Sequence, residues 1–207
     1  MLKNPLAWLG LVVLIGLVAI WDFNPDDLLR PVPEREAEFP HAYLIGSETR
    51  RFDTEGRLYH HMVSERADHF QYLPKRSSER DYSLIQKPDI TLYGREEQED
   101  ESSPEAGIEA PWRVRAEQGR SDANATRIHL REQVRVWQQS EEGLTELTTS
   151  ELIIEPDRQF AETDKAVNMR SPQGRNRAVG MRADLGKDHI ELLSEVRGTY
   201  DAQSREP

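Results

Sequence analysis

Apolar and charged side chains alternate through most of the chain after residue 57, in short segments separated by Gly, Pro, Asn and Asp. Alternation with a period of two residues is typical of a β-strand that has one buried face and one solvated face. The pattern therefore predicts an all-β protein built from antiparallel strands. The apolar positions that alternate in this way are Trp112, Val114 and Ala116; Ile128 and Leu130; Val134 and Val136; Val179, Met181 and Ala183; and Ile190 and Leu192.

A tripeptide that begins with Arg or Thr and ends with Asp or Glu recurs along the same region. We predict that each copy ends a strand and that the next strand presents an apolar pair spaced by one residue. The spacing favours a hairpin-like unit that buries its apolar side only against its neighbours. The copies are residues 66–68, 115–117, 149–151 and 182–184.

The amino-terminal segment, residues 5–21, contains no charged side chain. As a helix it would extend about 25 Å, close to the lower limit for crossing a bilayer core of about 30 Å. Bulky Ile20 and Trp21 end the segment, where a signal-peptide cleavage site needs small residues. We therefore predict an uncleaved transmembrane anchor, with a cleaved signal peptide as the alternative. Lys3 before the segment and Asp22 after it predict a cytoplasmic amino terminus, residues 1–4.

The rest of the chain is predicted to consist of a linker, one domain and a short tail. Repeated prolines predict an extended linker over residues 22–40. Residues 41–203 are predicted to form one domain outside the membrane, because that length supports a single hydrophobic core. Within this domain the acidic segment 96–109 is predicted to be a solvated loop. Residues 204–207 are predicted to be a disordered tail.

Charge and motif content exclude several functions. A net charge of −11 disfavours a nucleic-acid partner, because affinity for phosphate backbones depends largely on Lys and Arg. The chain has no cysteine, which excludes disulfides and a lipoprotein anchor. We find no phosphate-binding loop and no hydrolase motif, and we predict no catalytic residues and no cofactor. Adjacent His60 and His61 would point to opposite faces of a strand, so we predict no metal site.

Two interpretations of the apolar strand faces remain open at this point. In the first, the faces pack against each other and the domain is a closed β-sandwich that acts as an envelope scaffold or assembly factor. In the second, the two layers are splayed and leave an apolar trough for a ligand with long acyl chains. The medium-sized side chains on these faces are compatible with both.

The order of several short motifs resembles that of the LptC family of the lipopolysaccharide export system. The motifs follow the apolar amino-terminal segment and the linker, and together they extend over nearly the whole chain. They are FDTEGRL at residues 52–58, QKPDITLY at residues 86–93, WRVRAE at residues 112–117 and ELLSEVRGTY at residues 191–200.

The resemblance implies a twisted, incomplete antiparallel β-jellyroll like that of LptA, preceded by one inner-membrane helix, with the jellyroll in the periplasm. It also implies that the chain accepts lipopolysaccharide from an ABC transporter and passes it to LptA. The implied contacts are LptF, LptG and LptB through the anchor and the first strand, and LptA through the carboxyl-terminal edge, residues 190–200.

Residue by residue, the resemblance places Ser47 at the receiving end of the groove. Ile85 then lines the groove before a turn at residues 86–88, and Ile190 and Tyr200 line it on the last strands. Gly56 matches a turn glycine. The complete set of predicted lipid-binding residues is Ser47, Leu58, Met62, Ile85, Ile90, Leu92, Trp112, Val114, Ile128, Leu130, Val134, Val136, Met181, Ile190 and Tyr200.

Overall fold

Antiparallel strands account for most of the chain that the computed structural model describes, which is residues 39–73, 76–93 and 110–200. This confirms the predicted all-β class. The predicted anchor, the acidic segment and the tail lie outside the described residues, as does nearly all of the linker. Within the described residues, no helix combines the length and hydropathy that crossing a bilayer requires.

Eleven strands and one short 3₁₀-helix, Pro156–Arg158, make up the described part of the chain. All strand pairs are antiparallel and belong to one sheet. The strands are β1 (Ala42–Phe52), β2 (Leu58–Phe70), β3 (Tyr82–Gln86), β4 (Asp89–Leu92), β5 (Trp112–Arg115), β6 (Gln118–Asp122), β7 (Ile128–Ser140), β8 (Gly143–Glu155), β9 (Phe160–Ser171), β10 (Gly174–Asp184) and β11 (His189–Tyr200).

The sheet is a meander in which neighbours in sequence are neighbours in space. β2 pairs with both β3 and β4, and β7 pairs with both β5 and β6. β3 and β4 are therefore two parts of one bent strand, and so are β5 and β6. At the turn predicted for residues 86–88 the chain bends but does not reverse, because β3 and β4 run in the same direction and Lys87 between them has φ 48°.

Residues with positive φ lie at the same level across the sheet and form a row that we call the crease. Its members are Gly46 in β1, Lys87, the pair Glu132 and Gln133 in β7, Gly180 in β10 and Glu195 in β11. The Lys87 amide donates to the Glu117 carbonyl at 2.9 Å, and the Glu117 amide donates to the Glu132 carbonyl at 3.0 Å. From β7 to β11 the strand register also shifts at this level. Because such irregularities bend a strand, the aligned row bends the whole sheet along one line.

The crease divides the sheet into two halves that face each other. The upper half carries the β1–β2, β7–β8 and β9–β10 turns, and the lower half carries the β6–β7, β8–β9 and β10–β11 turns. One hydrophobic cluster includes residues from both halves, for example Val114 and Leu147 from the upper half and Leu130 and Ile154 from the lower half. A folded-over antiparallel sheet of this kind fits the predicted jellyroll.

The crease also corrects two predictions about strand faces and ends. Val179 was predicted to share a face with Met181, but it is exposed because the bulge at Gly180 shifts the register between the two residues. The tripeptides 66–68 and 149–151 were predicted to end strands, but they lie inside β2 and β8. They lie next to the crease, where each strand bends and then continues.

Candidate functional site

The inner face of the folded sheet is a continuous apolar surface, which we call the trough. Most of the predicted lipid-binding residues belong to the buried cluster on this face. They are brought together because alternate residues of successive strands point inward on both sides of the crease. The members of the predicted set that lie in the cluster are Met62, Ile85, Ile90, Leu92, Trp112, Val114, Ile128, Leu130, Val134, Val136 and Met181.

The remaining predicted residues lie at the margins of this cluster. Ile190 is partly buried and packs against it from β11. Leu58 is half-buried at the start of β2. Ser47 lies on the edge strand β1, where its hydroxyl is 2.6 Å from the hydroxyl of buried Ser64. Tyr200, the last residue of β11, is 76% exposed.

The apolar inner face reaches the free edge of the sheet at its amino-terminal end. β1 pairs only with β2, so its other edge has no strand partner in the described part of the chain. Leu44 lies opposite Ala67, which lies opposite Ile85 on β3, so the three side chains share the trough face. Ile85 is buried, whereas Leu44 is 61% exposed. The apolar surface therefore continues from the core to the free edge.

The carboxyl-terminal end has the same organisation. Among the described residues β11 pairs only with β10, and Gly174 of β10 lies opposite Tyr200. Because directly opposed residues share a face, Tyr200 lies on the trough side together with Gly174 and buried Ala178. Val196 on the same strand is 52% exposed. Gly56, predicted as a turn glycine, lies in the β1–β2 turn and has φ 82°.

Polar contacts join the tips of the two halves across the mouth of the trough. The Tyr59 hydroxyl donates to Asp157 Oδ1 at 2.8 Å, and the same oxygen accepts from Arg51 at 3.0 Å. Burial and the Asp157 carboxylate raise the pKa of the Tyr59 phenol. Further along, Gln159 donates to the Tyr93 carbonyl. These contacts hold the middle of the trough closed.

His60 is a buried polar residue on the inner face. It is 1% exposed, and neither ring nitrogen has a hydrogen-bond partner among the described residues. Burial, with a smaller contribution from the nearby charge of Arg51, lowers the pKa of His60 to about 4. The ring is therefore neutral at physiological pH. Adjacent His61 lies on the outer face, where it contacts Glu48 at 2.9 Å, as the strand alternation predicted.

The chemistry available at this site is binding by apolar contact. Within the described residues, no group of three or more His, Asp or Glu side chains could hold a metal ion. Leu44 and Val196, which carry the apolar surface to the two edges, were missed by the sequence reasoning. The alternation extends to both positions, but a sequence pattern does not tell an edge strand from a central one.

A family model described as lipopolysaccharide-assembly, LptC-related, matches residues 9–201 of the 207-residue chain. The chain belongs to the LptC family. LptC proteins are transport and scaffold components of the cell envelope rather than a family of enzymes, so this LptC-related chain takes part in lipopolysaccharide transport. A search of curated proteins finds no match to the chain.

Proposed function

We propose that this chain accepts lipopolysaccharide from an inner-membrane ABC transporter and passes it through the trough to LptA. In this proposal residues 5–21 anchor the chain in the inner membrane, with residues 1–4 in the cytoplasm and residues 41–203 in the periplasm. The anchor and β1 contact the transporter subunits LptF, LptG and LptB, and β11 contacts LptA.

The observation that supports this proposal best is that the apolar inner face reaches both edges of the sheet. Leu44 and Tyr200 extend the apolar surface to opposite edges of the sheet, so a ligand can enter at one edge and leave at the other. Each edge strand also has a side without a strand partner in residues 39–73, 76–93 and 110–200, and a strand of another protein can pair there. Pairing of that kind would continue the trough from one protein into the next.

The energetics of the cargo require such a surface. Each acyl methylene transferred from water to an apolar environment gains about 0.8 kcal/mol, so a lipid with several chains does not cross an aqueous compartment unaided. A trough that shields the chains at every step lowers this barrier, and the transfer needs no chemical catalysis by the domain.

Photo-crosslinking in cells tests the proposal. We expect a photoreactive amino acid at Ile190 or Ile85 of the full-length chain to capture lipopolysaccharide, because both lie on the trough face. The matched control is Arg113, an exposed residue that lies on the outer face of β5. Capture that is equal at Arg113 and at the trough positions would contradict the proposal.

A second candidate function is a scaffold whose sandwich binds no lipid. It is favoured by the nearly complete burial of the central residues Ile90, Val114, Ile128 and Leu130 by other side chains of the protein. Extraction of lipid from gently purified full-length chain separates the two functions. Bound acyl chains support transport, and their absence together with a failure to crosslink supports the scaffold.

A further inference from the structure

Four arginines converge in a cleft of about 510 Å³ on the outer face of the last strands. They are Arg170 of β9, Arg175 and Arg177 of β10, and Arg197 of β11. The cleft lies in the upper half of the sheet, and its arginines alternate with residues of the trough face such as Val167 and Ala178. It is therefore on the other side of the sheet from the trough.

The strand register places these positive charges directly beside one another. Arg175 is opposite Arg170 on one neighbouring strand, and Arg177 is opposite Arg197 on the other. Like charges in directly opposed positions destabilise a sheet. None of the four arginines forms an ion pair with an acidic side chain in the described part of the chain, although the whole chain carries a net charge of −11.

Glu146 of β8 is the one acidic residue among the described residues that line the cleft, and it is already paired with Arg135 of β7. Arg177 donates to the amide oxygen of Asn168 at 2.7 Å, which orients its guanidinium group. Among the described residues, the cleft thus has more guanidinium groups than acidic side chains, and one of these guanidinium groups is oriented by a hydrogen bond. Guanidinium groups bind phosphate with two parallel hydrogen bonds, and the cleft volume suits a small phosphorylated group rather than a protein surface.

We propose that this cleft binds a phosphoryl group that carries at least two negative charges. Arg175 and Arg177 supply the central donors, and Arg170 and Arg197 flank them. This site is separate from the trough and does not depend on lipid transport. The phosphoryl group can be a free anion or part of a phosphorylated lipid headgroup, and the two sources share the same recognition chemistry.

Calorimetric titration of the full-length chain with inorganic pyrophosphate, at constant ionic strength, tests the site. We expect the double variant Arg175→Gln, Arg177→Gln to bind pyrophosphate about tenfold or more weakly, because both central guanidinium groups are lost. The double variant Arg175→Lys, Arg177→Lys should bind pyrophosphate with intermediate affinity, because the positive charges remain but lysine does not donate two parallel hydrogen bonds. The control, Arg113→Gln with Lys187→Gln, removes two exposed positive charges elsewhere and should bind like the unmodified chain.

A second readout identifies the source and checks that the variants fold. We expect the Gln variant to have a raised melting temperature, because repulsion between opposed arginines is relieved.

Crosslinking with native and with chemically dephosphorylated lipopolysaccharide then distinguishes the two sources of the phosphoryl group. A preference for the native lipid that the Gln variant loses assigns the headgroup, and pyrophosphate binding without that preference assigns a free anion.

The site assignment is overturned if pyrophosphate does not bind the unmodified chain, if citrate binds as tightly as pyrophosphate, or if the control variant loses as much affinity as the cleft variant. These results are independent of the trough. Pyrophosphate binding together with absent lipid capture at Ile190 would leave the phosphoryl site standing and contradict the transport proposal.

Discussion

The indole nitrogen of Trp112 donates a hydrogen bond to Asp188 Oδ1 at 2.7 Å and so joins the start of β5 to the β10–β11 turn. The amide of Gln138 on β7 donates to the same carboxylate oxygen at 3.1 Å. Three strand regions that are distant in sequence therefore meet at one side chain. The contact fixes how far the two halves of the sheet separate near the carboxyl-terminal end.

Replacing Trp112 with Phe should lower the free energy of unfolding by about 2 kcal/mol, because a hydrogen bond to a charged group is lost and the buried ring becomes smaller. The measurement is urea denaturation of the full-length chain. Trp137→Phe is the matched control. Trp137 lies half-buried on the outer face with Arg135 and Arg115 near its ring, and we expect a loss of about 1 kcal/mol or less. Equal losses would contradict the proposed role of the Asp188 contact.

The stability of the domain should fall as the pH is lowered from 6.5 towards 4. The pKa of His60 is about 4 in the folded chain and near 6.5 when the chain is unfolded, so the unfolded chain binds more protons in this window. Stability is fully present above pH 6.5, and about 3 kcal/mol of it is lost across the window. Arg51, Asp157 and His61 are the charged or titratable groups that act on the ring.

Denaturation at several pH values checks this dependence. The His60→Leu variant should lack the contribution, because Leu neither titrates nor leaves ring nitrogens unpaired. His61→Leu is the control and should keep it. A pH profile that is the same for His60→Leu and for the unmodified chain would contradict the assignment to His60.

Gly174→Ala should destabilise the β10–β11 pair severely. Gly174 has φ 145°, and a Cβ atom there would lie 2.2 Å from the backbone oxygen of Thr199. Gly46 is a matched control: it also has positive φ, but a Cβ atom would meet no atom within 4 Å, so its Ala variant should lose only about 1–2 kcal/mol from backbone strain. Thermal denaturation measures both, and similar melting temperatures would refute the steric argument.

Leu44→Asp should reduce lipid capture at Ile190 while changing stability by about 0.5 kcal/mol or less, because the side chain is exposed but belongs to the trough face. The adjacent residue provides the control. Ile45 is even more exposed and lies on the opposite face of β1, so Ile45→Asp should leave lipid capture unchanged. If the two variants behave alike in crosslinking, entry of lipid through the amino-terminal end of the trough is wrong.

Strand faces could be predicted wherever burial alone decides the pattern. Val114 and Leu130 alternate with charged residues, and both are buried as expected. The same reasoning failed at Val179, because a bulge changes the face of a strand without changing its composition. Of the crease residues, Lys87 and Glu132 have side chains that are common on solvated strands, so their positive φ could not be recognised from the sequence.

The arginine cleft and the contacts between the two halves could not be predicted, because they depend on strand register and on tertiary contacts. Arg175 and Arg177 alone are an ordinary solvated strand face, and only the pairing with β9 and β11 shows that Arg170 and Arg197 lie beside them. The contact of Tyr59 with Asp157 joins residues 98 positions apart, for which no local pattern gives a signal. The apolar composition of the trough, in contrast, followed from alternation alone.

The meander has a consequence for how the domain acquires its structure. When β3 with β4 and β5 with β6 are each counted as one bent strand, every strand hydrogen-bonds to the strand that precedes it, so the ladder can grow progressively from the amino-terminal side. A domain whose amino-terminal strands emerge first from a membrane can therefore fold during translocation. The Trp112 and Asp188 contact can form only after β10 is complete, which makes clasping of the two halves a late step of folding.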